Sequence, residues 1–207
     1  MSVASSREAA IRALAQENRL LQPSDIKAAP DALAQAERSG ALHRVIPGVY
    51  IGTQHRRHPL IEAAAWVLRS PSAVVCLLTA AIFYDLTTGF ERGTWLFVPK
   101  GGSRPRSRVR ELHVVQTSER FIDPAHDVDN GIASVEVHGV DLRITGPDRT
   151  VLDLLRYPKR VSSEQALEAL RQRVTASDFQ VPVFARLARR LATWDKVEPL
   201  IQGLMLR

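Results

Sequence analysis

Between Ser24 and Gly52 the chain reads SDIKAAPDALAQAERSGALHRVIPGVYIG, and no other stretch restricts the fold as tightly. Ser24 is suited to cap a short helix carrying Ile26, because its hydroxyl can accept from an unpaired backbone N–H of the first turn. Pro30 breaks that helix by pushing the preceding residue out of the α region. Helical periodicity then resumes over Asp31–Ser39, with Leu33, Ala36 and the following Leu42 facing inward. Gly40 ends it, since glycine takes the left-handed conformation cheaply. Leu42–Ile46 and Val49–Ile51 are short β-prone runs, and Pro47-Gly48 between them suits a type II turn.

A short helix, a turn, a second helix and a two-stranded hairpin together describe a winged helix-turn-helix. In that arrangement the second helix lays its N-terminal residues on base edges in the major groove. Here it would expose Asp31, Ala32, Gln35 and Arg38. Gln35 can pair with an adenine edge, and Arg38 can reach guanine or a phosphate. Arg44 in the hairpin, with Arg56 and Arg57 beyond it, can neutralise phosphates and make the affinity sensitive to salt. The segment GTQHRRHP, residues 52–59, has little apolar content and reads as a linker. This divides the chain into a head, residues 1–55, and a body, residues 56–207. Ahead of the capped segment, a first helix is expected over Arg7–Leu20, with Ile11, Leu14 and Ala15, then Leu21, roughly on one face.

The body reads as α+β with a helical C-terminal part. It opens with a helix at Leu60–Arg69, a buried-type strand at Ala73–Leu77, and a helix capped by Thr79 that reaches Leu86. Strands follow at Thr94–Val98 and Leu112–Thr117, with the basic loop Lys100–Arg110 between them. Alternation of Val135, Val137, Val140, Leu142 and Ile144 around His138-Gly139 is a hairpin pattern. Thr145 and Ser162 both stand at the head of capping-box spacings. Two final helices are expected at Val183–Ala192 and Lys196–Leu204.

Charge points toward polyanions. The 207 residues carry a net charge of +6, and the pI is about 10.1. Lys100–Arg110 holds five of the basic residues and no acidic one, so Arg104 and Arg106 can extend a DNA footprint or hold an acidic protein. The single cysteine, Cys76, excludes an intramolecular disulfide and sits in an apolar run where a thiol is usually inert packing. With no long apolar run, a cytoplasmic, soluble chain that engages no membrane is expected.

Enzymatic signatures are weak. The chain lacks GK[ST], GxGxxG before a helix, and GxSxG. In Pro147-Asp-Arg-Thr150 and Asp153, the first-turn Asp148 fits the helix dipole, and Arg149 with Asp153 has the spacing of a surface ion pair. A nuclease or phosphotransferase using Asp148, Asp153 and the basic loop is the enzyme-class alternative. FIDPAHDVDN has metal-ligand residue types but no glutamate at calcium-loop spacing, and reads as a polar turn. No enzyme activity, cofactor or metal is expected.

Several of these segments, taken in order, resemble one family. PSDIKAA, the helix ending at Ser39-Gly40 and LHRVIPGVY are similar to the N-terminal head of AbiEi-type antitoxins of type IV toxin–antitoxin systems. LLTAAIFYDL, WLFVPKGGSRPR and VHGVDLRITGPDRTVLDLLRYPKRVSSEQALEALRQRV resemble the body of that family, so the likeness runs over about residues 20 to 205. The resemblance implies a winged-helix head on operator DNA, repression of the protein's own operon, and antagonism of a nucleotidyltransferase toxin without a necessary stable complex. By position it assigns Gln35, Arg38 and Arg44 to DNA, and Arg149, Thr150 and Asp153 to the signature of the body. One departure is that Ile46-Pro47 stands where many family hairpins carry a basic residue before the turn glycine. A monomer or a homodimer both fit. The alternative is a solitary winged-helix regulator, or a head used for protein docking, with no cognate toxin.

Overall fold

The computed structural model describes residues 13–25, 30–89, 93–108 and 111–205, which fold as a mixed α+β protein. They form two compact units. The first holds the described residues up to Pro71 with Arg108 and Glu136–Leu142, and the second holds the remainder.

In the first unit, α1 (Pro30–Arg38) is followed by β1 (Leu42–Ile46), β2 (Val49–Gly52) and α2 (Ile61–Arg69). The described part of α1 begins at Pro30. The helix expected around Ile26 lies outside the described residues. Gly40 takes φ +72° just past α1, and Gly48 takes φ +80° in the β1–β2 turn, as a type II turn requires. The strands pair antiparallel with a bulge between Arg44 and Ile46.

The first helix does not reach Leu20. Residues 13–15 are helical, the chain turns at Gln16, and the expected start lies outside the described residues. The reason is a competing partner. Leu21 exchanges both backbone hydrogen bonds with Tyr50, N–H to carbonyl at 2.8 and 2.9 Å, and so joins the hairpin in extended form. Leu21, Ala36, Ala41, Leu42 and Tyr50 close a small core, with Leu14, Ala15 and Leu33 packed against it.

By packing, the first unit includes the segment up to Pro71. Arg56–Pro71 stays with the first unit because α2 packs against β1, Arg69 donates to the Pro47 carbonyl at 2.9 Å, and Gln22 donates to the Leu68 carbonyl. The 52–59 segment is itself pinned. Gly52 N–H donates to Glu17, Gln54 N–H to Ala15, and Arg56 N–H to the Asn18 side chain.

Five strands run in the order β5-β4-β3-β7-β6, with β3 Val74–Val75, β4 Thr94–Pro99, β5 Leu112–Thr117, β6 Ile132–Val137 and β7 Val140–Thr145. All of their residues except Glu136–Leu142 belong to the second unit. Interior strand β4 is almost continuously apolar and buried, as expected for a strand covered on both faces. It pairs antiparallel with β3 and parallel with β5. A parallel pair cannot be closed by a tight turn and needs a connection of about a dozen residues. The basic stretch after Lys100 is that connection.

The helices are α3 (Leu77–Phe83), α4 (Pro147–Arg156), α5 (Ser163–Val174), α6 (Val181–Arg190) and α7 (Trp194–Met205). Helix α3 starts two residues before Thr79, whose hydroxyl instead accepts from the Trp95 N–H at 2.8 Å. It also ends at Phe83, short of Leu86. Ser162 makes the expected capping box with Gln165. Thr145 does not cap α4; Gly146 holds the cap position, and the Thr145 hydroxyl bonds Thr150 at 2.8 Å. Helices α6 and α7 each begin two residues earlier than their apolar periodicity suggests.

Gly52 provides a direct check on the first unit. A Cβ there would come within 2.5–2.7 Å of the carbonyl oxygens of Leu14, Ala15 and Glu17, all backbone atoms that cannot rotate away. Gly52→Ala should destabilise the protein by about 1–3 kcal/mol in urea unfolding. A change below about 0.5 kcal/mol would contradict this packing.

Candidate functional site

The polar surface of the first unit is set by α1. Ala36 is fully buried and Leu33 packs on the small core, so helical spacing turns Gln35 and Arg38 away from it. Gln35 is partly exposed and Arg38 exposed, in the last turn, where a cation also suits the helix dipole. Side chains of Pro30, Asp31 and Ala32 lie outside the described residues. Arg44 projects from β1 and donates to Glu37 at 2.6 Å, while its guanidinium lies 5.6 Å from the ring of its cross-strand neighbour Tyr50. The hydrogen bond to Glu37, aided by Tyr50, raises the Arg44 pKa above its ordinary value. Arg44 is thus oriented against α1, and Glu37 offsets part of its charge. This pairing joins residues seven apart across a turn, a spacing that carries no sequence signal.

Arg56 and Arg57 are exposed on the segment after β2. Arg104 and Arg106 are exposed on the β4–β5 connection of the second unit, where the Arg104 guanidinium donates to the Gln116 side chain.

Arg149 and Asp153 occupy a different setting from the surface ion pair expected of them, and Thr150 is buried with them. Every residue from Arg149 to Leu154 is buried, so α4 is surrounded on all sides and its polar residues must find partners inside. Arg149 Nε donates to Asp153 at 2.6 Å, and both side chains have no exposure. Arg149 Nη1 donates to the carbonyls of Asn130 at 2.7 Å and Phe121 at 3.3 Å. Arg156 donates to the second Asp153 oxygen at 2.7 Å. Asn130 is the residue that sequence reasoning missed. Its amide donates to Arg120 and accepts from Arg190 at 2.8 Å, fixing the loop that meets Arg149.

Other polar groups are similarly committed. Asp148 accepts from Arg173, which also binds Asp178. Within FIDPAHDVDN, Asp123 caps a short 3-10 turn and Asp127 accepts from Arg143. Among the described residues no group of three or more His, Cys, Asp and Glu could hold a metal ion. Cys76 is fully buried, and desolvation, with the nearby Asp153 charge, pushes its thiol far up.

His55, His58 and His138 form an aromatic cluster within the first unit, with His138 5.6 Å from His55 and 6.3 Å from His58 between ring centroids. His58 Nδ1 accepts from the Leu60 N–H at 3.1 Å, which requires that nitrogen to be unprotonated. Desolvation first, then the His138 charge, lowers the His58 pKa. The scattered sequence positions of these residues gave no hint that they meet.

No protein-family model matches the chain, and no curated protein matches it. A solved structure, that of the RV2827C protein from Mycobacterium tuberculosis, shares its fold. The two are 15% identical with a TM-score of 0.65, covering 98% of this chain and 77% of that one. Among the described residues no helix is long and apolar enough to cross a membrane.

Two stability measurements follow from these environments. Replacing Arg149 with Met leaves the buried Asp153 carboxylate with Arg156 alone and removes the donor to the Asn130 and Phe121 carbonyls. Arg149→Met should therefore cost about 3–5 kcal/mol in urea unfolding; a loss under about 1 kcal/mol would contradict a buried pair. For His58, a lowered folded-state pKa means that the unfolded chain binds the proton more readily. Stability should therefore be complete above the ordinary value of 6.5, fall as pH drops through it, and level off below the folded-state value. His58→Asn retains an acceptor for the Leu60 N–H and should flatten that slope; an unchanged slope would refute the assignment.

Proposed function

We propose that the first unit is a winged helix-turn-helix and that the protein is a DNA-binding antitoxin. It represses its own operon and counteracts a nucleotidyltransferase toxin, as the AbiEi-like resemblance implies. The observation that carries the DNA reading is the outward face of α1, with Gln35 and Arg38, next to a hairpin whose Arg44 is held in place by Glu37 and Tyr50. A partly exposed amide and preoriented guanidinium groups are the side chains that read base edges and clamp phosphates. Arg56 and Arg57 add positive charge on the same unit.

The commitments of the acidic residues favour this reading over a hydrolytic one. Asp153 lies between two arginines and Asp148 is held by Arg173, so neither carboxylate is presented free to a substrate or a metal. The signature residues Arg149, Thr150 and Asp153 are thereby accounted for as core architecture, and the binding surface lies elsewhere.

Mobility shift with the DNA immediately upstream of the coding sequence tests the proposal. Wild-type protein should give a sequence-preferring, salt-sensitive shift. Arg38→Ala with Arg44→Ala should weaken it and reduce the salt slope by about 1 for each phosphate that is no longer neutralised. Glu37→Gln should act in the opposite sense, tightening binding by removing a carboxylate from the DNA-facing surface. No shift, or one indifferent to both changes, would sink the DNA reading. Failure to rescue growth when co-expressed with a neighbouring nucleotidyltransferase gene would remove the antitoxin role alone.

A further inference from the structure

Within the second unit, a cavity of about 530 Å³ opens beside β5, the edge strand of the sheet. Arg104, Arg156, Lys159 and Arg160 all line it, and among the described residues its lining includes no carboxylate. A cavity of similar size beside α6 differs in this respect, because Asp129 and Asp148 there oppose Arg186 and Arg190. A concave, water-accessible site lined by one sign of charge focuses the field and attracts a counter-ion.

The four cations arrive from two directions. Tyr157 ends α4, Pro158 prevents its continuation, and the next turn is fixed by the Arg160 and Val161 N–H groups donating to the Tyr157 carbonyl. Lys159 and Arg160 are exposed on that turn. Cations there also suit the negative end of the helix dipole. That explanation does not reach Arg104, which comes from the β4–β5 connection and is held over the cavity by Gln116 of β5. Arg156 is already committed to Asp153 and lies 4.9 Å from the Phe121 ring, so it supplies fixed background charge. Arg104, Lys159 and Arg160 remain to meet a ligand.

One wall is aromatic. Tyr157 is half-buried, with its ring 5.5 Å from that of Phe97 in the core. Anchored there, with the Arg156 guanidinium 5.7 Å from its ring centroid, it places an aromatic ring in the lining beside the three exposed cations. The volume falls within the range of about 300–1,000 Å³ typical of small-molecule sites. A phosphate group joined to a planar ring matches both features, since guanidinium and ammonium groups take the phosphate and an aromatic side chain stacks on the base.

We propose that the cavity between β5 and the turn after α4 binds a nucleoside phosphate, with Arg104, Lys159 and Arg160 on the phosphate and Tyr157 against the base. The ligand is either a free nucleotide or the terminal nucleotide of a nucleic-acid strand. The site lies wholly in the second unit and stands independently of the DNA-binding role proposed for the first.

Calorimetric titration of the full-length protein tests it with four probes: GTP, a 5′-phosphorylated single-stranded hexanucleotide, inorganic phosphate and a glutamate-rich peptide. GTP or the hexanucleotide should bind, and Lys159→Ala with Arg160→Ala should weaken binding by about tenfold or more. Both positions are exposed, so circular dichroism of the double variant should match wild type. Saturable GTP binding identifies a free nucleotide as the ligand, whereas binding of the hexanucleotide alone identifies a strand end. Arg38→Ala with Arg44→Ala should leave GTP binding unchanged, which separates this site from the first unit. The proposal is overturned if neither nucleotide probe binds or if Lys159→Ala with Arg160→Ala has no effect. It is equally overturned if phosphate alone binds as tightly as GTP, or if the acidic peptide binds more tightly than both nucleotide probes.

Discussion

The second unit depends on the pair Arg149–Asp153, a guanidinium and a carboxylate with no solvent exposure. Charges at that depth are tolerated only when paired and hydrogen-bonded. Arg149 meets the requirement by reaching out of α4 to the carbonyls of Phe121 and Asn130, and Asp153 by accepting a second arginine. The consequence extends beyond the helix. A loop of mostly polar residues is fixed against the core by its own backbone, and Gly131 must be glycine-like there, at φ +64° with a Cβ position 3.0 Å from that of Arg149. Helix, loop and the adjoining strand β6 are therefore set by one polar network. The Arg149 Nη2 atom has no partner within that network, so part of its desolvation cost is not returned.

The first unit is built on a different principle. Trp66, Leu21, Ile46, Ile51 and Leu60 are fully buried in it, and its hairpin is only two short strands. The Leu21–Tyr50 exchange supplies an additional pairing, and close backbone approach at Gly52 adds to that side-chain packing. Arg38, Arg44, Arg56 and Arg57 remain exposed outside that packing. Of these, Arg44 is the most constrained, by Glu37 on one side and Tyr50 on the other. Preorientation lowers the entropy lost when such a group meets a phosphate, at the cost of some net charge.

Local features were legible in the sequence wherever the physics is local. The Ser162 capping box, the stop at Gly40, the turn at Pro47-Gly48 and the His138-Gly139 hairpin each involve neighbours within a few residues. What could not be read depends on partners far along the chain. Leu21 leaves helical geometry because Tyr50 offers it two hydrogen bonds, and Thr79 forgoes capping because the Trp95 N–H claims its hydroxyl. Arg149 and Asp153 show the same limit more clearly. Their i,i+4 spacing correctly implies an ion pair, but spacing says nothing of depth, and the surface location inferred for them is replaced by the centre of the core. The candidate DNA-binding side chains were readable as residue types. Their arrangement was not, since Glu37 enters only once the hairpin folds back on α1. The basic cavity is the extreme case, because Arg104 and Arg160 converge through a parallel strand crossover that no short-range pattern encodes.

The central claim, that DNA is engaged through α1 and the β1–β2 hairpin, is tested most directly by amide hydrogen exchange with and without the upstream DNA. The account predicts slowed exchange across residues 33–52 on binding, with the already protected core of α4 unchanged. Exchange that is unaltered over residues 33–52 while DNA is bound would contradict it.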